Sequence, residues 1–60
     1  MEKNTKKEYE KARTLRDGAT YFRNMLNNIT EKDSCTEKLI QAHNAVIEHA
    51  AELMEFYANN

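Results

Sequence analysis

Apolar side chains recur at alternating spacings of three and four residues along two stretches of the chain, which predicts two helices. We expect the first helix at about residues 5–29 and the second at about residues 35–58. The polar segment at residues 30–34 has no such periodicity and predicts a turn. Because a short connection makes neighbouring helices antiparallel, the sequence predicts an all-α helical hairpin with a single domain over residues 1–60.

Two local signals refine the helices. Ser34 and Glu37 have the spacing of a capping box, which predicts that the second helix starts beside Ser34. Gly18 lies in the middle of the first helix, where glycine costs roughly 1 kcal/mol relative to alanine. The sequence leaves open whether the first helix is continuous or kinks at Gly18.

The first helix carries one apolar seam, which we expect to face the second helix. Its members follow one another at spacings of three and four residues. They are Ala12, Leu15, Ala19, Phe22, Leu26 and Ile29.

The second helix is apolar over a much wider arc, roughly 200° against the ~100° of an ordinary surface helix. One stripe is expected to face the first helix. It consists of Leu39, Ala42, Val46, Ala50, Leu53 and Tyr57. A second stripe then has nothing in its own chain to cover it, so we predict an oligomer interface in a homodimeric four-helix bundle. Its residues are Ile40, His43, Ile47, Ala51 and Met54.

Charge is divided unevenly between the two halves, although the net charge is only −1. Residues 1–28 carry seven Lys and Arg against four Asp and Glu, and residues 29–60 carry two against six. On the first helix a basic, donor-rich row predicts a partner-binding face for protein or RNA. The row consists of Lys6, Tyr9, Arg13, Arg16, Thr20, Arg23 and Asn27. The alternative is that this row pairs with Glu48, Glu52 and Glu55 of the second helix.

No pattern of residues indicates catalysis, a cofactor or a metal site. Cys35 is the only cysteine, which precludes an intramolecular disulfide and fits a reducing compartment. His49 and Glu52 could in principle ligate a metal, but di-iron bundles use the reverse order, Glu-x-x-His, with further inward carboxylates, and the seam of the first helix offers none. His43 is expected to be a core residue bonded to a partner side chain, or a pH-sensitive interface residue. We expect no membrane span and no signal peptide, hence a soluble, cytoplasmic protein without a small-molecule substrate.

Two short runs resemble the Rop family of plasmid copy-control RNA-binding proteins. They are Leu26-Asn27-Asn28-Ile29 and His49-Ala50-Ala51-Glu52-Leu53. The resemblance implies a dimer of helical hairpins that binds structured RNA through its first helix. The spacing between the two runs is longer here, and Tyr9 and Tyr21 compete for the position of that family's RNA-binding aromatic residue.

The leading hypothesis is a non-enzymatic, homodimeric helical bundle that binds and modulates a macromolecular target, most simply a protein. Tyr and Arg are enriched among binding hot spots, and both are present on the first helix. The alternatives are binding of structured RNA through the basic face of the first helix, and a structural or co-chaperone role in a larger assembly.

Overall fold

The computed structural model describes residues 2–59, with the side chains of residues 5–59. The chain forms helix α1, Glu2–Asn27, and helix α2, Ser34–Ala58, which pack against each other along their length. The predicted all-α hairpin is therefore confirmed, and the helix ends lie within three residues of the predicted positions. The hairpin is a thin rod with extents of 47 × 13 × 12 Å. Within the described residues, neither helix combines the length and the apolar character that crossing a bilayer requires.

The N-cap of α2 is Asp33, one residue before the predicted cap at Ser34. The Thr36 N–H donates to Asp33 Oδ1 at 2.8 Å, and the Glu37 N–H donates to the Asp33 carbonyl at 3.0 Å. Asp33 has extended backbone angles and is the N-cap, so Ser34 is already helical. The predicted capping box of Ser34 and Glu37 is wrong, because the Glu37 N–H that the Ser34 hydroxyl was expected to bind donates to the Asp33 carbonyl instead.

The Asp33 cap makes the stability of the hairpin dependent on pH. Hydrogen bonds from the Thr36 N–H and the Thr36 hydroxyl hold the pKa of Asp33 below its ordinary value of 3.8. A carboxylate of this kind stabilises the fold fully above its ordinary pKa, and the contribution is lost as the pH falls through the lowered pKa. We expect Asp33→Asn, which keeps a capping oxygen, to lack this component of the acid-induced fall in Tm.

Circular dichroism melts between neutral and strongly acidic pH measure this difference. Asp33→Ala is the control, since it removes the cap and should lower Tm already at neutral pH by several degrees. Equal losses of Tm on acidification in the wild type and in Asp33→Asn would assign the pH dependence to other carboxylates.

Helix α1 is continuous through Gly18, and this glycine does not have a positive φ. A Cβ atom built on Gly18 meets no atom within 4 Å, so a methyl group has open space there. We expect Gly18→Ala to raise the free energy of unfolding by about 0.5–1 kcal/mol, because alanine reduces the backbone entropy of the unfolded chain. Urea titrations of the two proteins measure the change. A loss of stability would show that the helix needs glycine at this position.

The helices meet along a narrow band of residues, which we call the core seam. Its members alternate at spacings of four and three residues on each helix, and all are buried or half-buried. On α1 they are Thr5, Tyr9, Ala12, Arg16, Ala19, Arg23 and Leu26. On α2 they are Thr36, Ile40, His43, Ile47, Ala50, Met54 and Tyr57.

Small residues occupy the centre of the core seam. Ala50 is 1% exposed, and Ala12 and Ala19 are also buried. Methyl side chains allow two helix backbones to approach closely, which suits a contact between only two helices. Met54, at 9% exposed, is the one larger side chain among residues 5–59 that reaches the buried class. The hairpin by itself therefore has little apolar core.

The rotation of α1 about its own axis differs from the prediction. Ala12, Ala19 and Leu26 of the predicted seam do lie in the core seam. The other members of that seam lie on the flank beside the core seam, and they are exposed. They are Leu15, Phe22 and Ile29. The heptad pattern identified residues that share one broad face, but α2 covers only one edge of that face.

The rotation of α2 differs in the same way. Leu39 was expected to face α1 and is exposed, whereas Met54 was expected to be uncovered and is buried. Ile40 and Ile47 are half-buried in the core seam, and of the predicted interface stripe only Ala51 is exposed. The prediction that nothing in the chain covers this stripe is wrong, because α1 packs against it. Its role in an oligomer interface stays a prediction that the single chain does not test.

Candidate interaction surface

A second apolar surface runs along one flank of the core seam, and we call it the side face. Its residues recur mainly at intervals of seven, which places them in a line beside the core seam on both helices. They are Leu15, Phe22, Met25 and Ile29 of α1 and its end, and Leu39, Val46 and Leu53 of α2. Leu15 and Phe22 are each 54% exposed and Met25 is 50% exposed. The side face is thus a continuous apolar strip open to solvent.

Two shallow depressions join the two helices along this strip. One, of about 270 Å³, lies near the turn and is lined by Phe22, Met25, Leu26, Ile29, Leu39 and His43. The other, of about 420 Å³, lies further along and is lined by Thr14, Leu15, Gly18, Ala19, Phe22, His43 and Val46. Phe22 and His43 line both, so the depressions form one groove. No Lys, Arg, Asp or Glu lines either of them.

His43 lies at the edge of the groove. Its Nδ1 is 2.7 Å from the Leu39 carbonyl oxygen, and since a carbonyl only accepts, Nδ1 donates. Its ring centroid is 6.3 Å from that of Phe22, with a tilt of 45°. His43 lies half-buried in the core seam, as expected. Its hydrogen-bond partner is the main chain of its own helix, however, and not the partner side chain that we expected.

The predicted partner-binding row on α1 is divided by the structure. Lys6, Arg13 and Asn27 are exposed, as a binding face requires. The others are half-buried, because they lie in or beside the core seam. They are Tyr9, Arg16, Thr20 and Arg23. Long arginine stems tolerate this position because their apolar carbons pack while the guanidinium reaches solvent.

Arg23 links the two helices on the flank opposite the side face. Its Nη1 donates to Asn44 Oδ1 at 3.2 Å, and its Nη2 donates to Asn24 Oδ1 at 3.1 Å. Nε of Arg23 is buried and has no hydrogen-bond partner. Asn44 is about 160° around α2 from Val46 of the side face. The hairpin therefore has one apolar flank and one polar flank.

The ion pairs do not follow the predicted pairing of the basic row with the acidic residues of α2. Among the side chains of residues 5–59, each ion pair joins residues of the same helix. Arg16 pairs with Asp17 at 2.9 Å and Arg13 approaches Asp17 at 3.9 Å. His49 and Glu52 of α2 are 3.9 Å apart and largely exposed. Among these side chains, the opposite net charges of α1 and α2 are therefore not paired with each other across the hairpin.

Other candidate residues remain separate. Cys35 is exposed at the start of α2 and has no disulfide partner. Within residues 5–59, no three His, Cys, Asp or Glu side chains converge as a metal ion requires. The sequence analysis missed the side face as a surface, although it identified most of its members. The signal was present, since apolar residues that recur every seven residues beside the core positions are typical of a helix with two neighbours.

No protein family matches this chain, and neither a curated protein nor a solved structure matches it. The groove and its flanks are therefore interpreted from their own chemistry.

Proposed function

We propose that this chain is a non-enzymatic interaction protein that forms a homodimeric four-helix bundle through its side face and, as that bundle, binds and modulates a protein target. The supporting observation is that both helices leave an apolar edge uncovered on the same side. In a four-helix bundle each helix touches two neighbours, so its apolar stripe faces the bundle axis. The neighbour from the same chain then covers only one edge of that stripe.

The exposed area of the hairpin also supports a dimer. Its accessible surface is 4864 Å², whereas a compact monomer of 7.0 kDa exposes about 4,000 Å². The excess of about 800 Å² matches what each partner buries in an interface of standard size. The radius of gyration is 13.9 Å, against about 10 Å for a compact chain of this length. Side-by-side association of two rods reduces both excesses.

Sedimentation equilibrium over a range of concentrations tests the dimer. We expect twice the 7.0 kDa mass of the chain at micromolar concentration, with a Tm that rises with concentration because association stabilises the folded state. A monomer that melts cooperatively, with a Tm independent of concentration, would overturn the assembly.

The polar flank is the surface that such a dimer leaves open for its target. Lys6, Arg13 and Asn27 are exposed there, and arginine is a frequent hot-spot residue in protein interfaces. Tyr9 is half-buried in the core seam, so it is poorly placed to stack on an unpaired base. Asp17 carries a negative charge beside Arg13 and Arg16, which opposes a phosphate backbone. These features favour a protein target over RNA.

Capture from the native host with a tagged dimer tests the target. The double variant Lys6→Ala, Arg13→Ala should release the captured protein and remain dimeric, whereas the control Lys38→Ala, on the other helix, should retain it. Capture that is abolished by ribonuclease and falls steeply with salt would identify RNA as the target and overturn the protein assignment.

A further inference from the structure

We propose that the two hairpins of the bundle lie with their turns at the same end, so that α1 of each chain packs on α2 of the other. This arrangement rests on the proposed dimer and specifies its geometry. Two-fold symmetry allows two ways to stack the side faces. A two-fold axis parallel to the helices puts both turns at one end, and a two-fold axis perpendicular to the helices puts them at opposite ends.

The distribution of apolar residues along the side face favours the same-end arrangement. The turn half of the face is apolar, with Phe22, Met25, Ile29 and Leu39. Towards the chain termini, the same side of α1 carries Lys7, Glu10 and Lys11 around an open depression. Same-end stacking places the apolar half on the apolar half. Opposite-end stacking with full overlap brings Phe22 level with the charged turn of α1 around Lys11, where its burial would be offset by desolvated charge.

The contacts within the hairpin determine the position of each residue along the long axis of the rod. The Phe22–His43 ring contact and the Arg23–Asn44 hydrogen bond show which residues of α1 and α2 are level. A two-fold axis parallel to the helices leaves these positions unchanged. Phe22 therefore comes level with residues 43–45 of the second copy, adjacent to the small side chain of Ala42. A large side chain meets a small one there, as interdigitated packing requires.

The exposed ring of Tyr21 fits the same register. Tyr21 is 63% exposed and contacts Phe22 edge-on, with ring centroids 5.5 Å apart. In the same register along the rod axis, Tyr21 lies over Ala45 of the second copy, an exposed alanine on the outer side of α2. The aromatic pair thus covers two alanines and extends the interface to the edge of the bundle.

The charges of the helices also favour this arrangement. Helix α1 carries seven Lys and Arg against four Asp and Glu, and α2 carries one against four, so their net charges are +3 and −3. Same-end stacking alternates positive and negative helices around the bundle. Opposite-end stacking puts α1 beside α1 and α2 beside α2, where like charges repel. In the same-end dimer the basic stretch of α1 around Lys11 comes level with Glu55 of the second copy.

The lone cysteine provides a direct test without any substitution. Cys35 is exposed at the turn end of α2, so a nitroxide spin label attached to it reports where the two turns lie. In the same-end dimer the two α2 helices are diagonal neighbours, with axes roughly 14 Å apart. In the opposite-end dimer with full overlap, the two Cys35 positions are separated by roughly 43 Å along the bundle, from the helix rise alone.

Double electron–electron resonance, supported by continuous-wave line broadening, measures the separation of the labels. We expect a distance below about 25 Å once the label arms are added to the helix spacing. A distance of about 35 Å or more would overturn the same-end arrangement and leave the dimer intact. If the unlabelled protein has the dimer mass but the spin-labelled protein shows no dipolar coupling, the label at Cys35 disturbs the interface. The second label site below then decides.

The second site is Asn59→Cys in a Cys35→Ser background, at the other end of α2 and outside the side face. The same-end arrangement again predicts a short distance, because both C-terminal ends lie together. A long distance at this site overturns the arrangement. Monomer mass for the unlabelled wild type at all concentrations overturns the proposed dimer itself, so the two failures are distinguishable.

Discussion

Replacing Phe22 with lysine should convert the proposed bundle into separate hairpins without unfolding them. Phe22 is the largest side chain of the groove, and in the single hairpin it is already 54% exposed, so the hairpin loses little. In the dimer each copy forfeits about 1.5–3 kcal/mol of apolar burial. Because the dimer contains two copies, we expect the association constant to fall by at least about 100-fold.

Sedimentation equilibrium of Phe22→Lys measures the association constant, and far-UV circular dichroism measures the retained helix. Asn27→Lys is the matched control, since it adds the same charge to an exposed position of α1 away from the groove. The control should remain dimeric. If Phe22→Lys stays a dimer at the wild-type concentration, the side face is not where the chains meet.

Replacing Met54 with lysine has the second large effect, and it acts inside the hairpin. Met54 is 9% exposed in the core seam. Truncating such a residue to alanine costs about 2–5 kcal/mol, and a lysine adds the desolvation of a charge. A domain of this size has only about 3–5 kcal/mol of stability from its core. We therefore expect Met54→Lys to be largely unfolded at every concentration, as judged from its far-UV circular dichroism.

Ala51→Lys is the control for Met54→Lys and also separates the two readings of α2. The sequence pattern placed Ala51 and Met54 on one interface stripe, but the structure exposes Ala51 and buries Met54. We expect Ala51→Lys to lose less than about 0.5 kcal/mol of stability, as exposed substitutions usually do. A folded Met54→Lys variant that is monomeric would instead support the stripe predicted from the sequence as the oligomer interface.

Met54→Lys and Phe22→Lys probe two separate sources of stability, the core seam within the hairpin and the side face between hairpins. The core seam contains three buried alanines and one buried methionine, so the contact between α1 and α2 provides limited apolar burial. The side face holds larger residues, Phe22, Leu15 and Leu39, that the single chain leaves exposed. Because the larger apolar side chains lie outside the hairpin core, association is expected to add to the stability that the hairpin has on its own.

The sequence by itself determined the secondary structure and the topology. Helical periodicity, the absence of proline and a polar turn predicted two antiparallel helices, and their ends are found within three residues of the predicted positions. These features are local, since propensity and periodicity act over a few turns of one helix. The cap at Asp33 was missed by one residue because several polar residues in the turn, including Ser34, can cap a helix.

Only the tertiary structure decided how each helix is rotated about its axis. An apolar arc of roughly 200° on α2 can face α1 in several orientations with similar burial. The orientation that forms brings small residues, Ala19 and Ala50, into the closest contact and accepts the stems of Arg16 and Arg23 beside them. Periodicity fixes which residues share a face of a helix. Which edge of that face meets the neighbour depends on side-chain sizes on both helices at once, and that information is not contained in either helix alone.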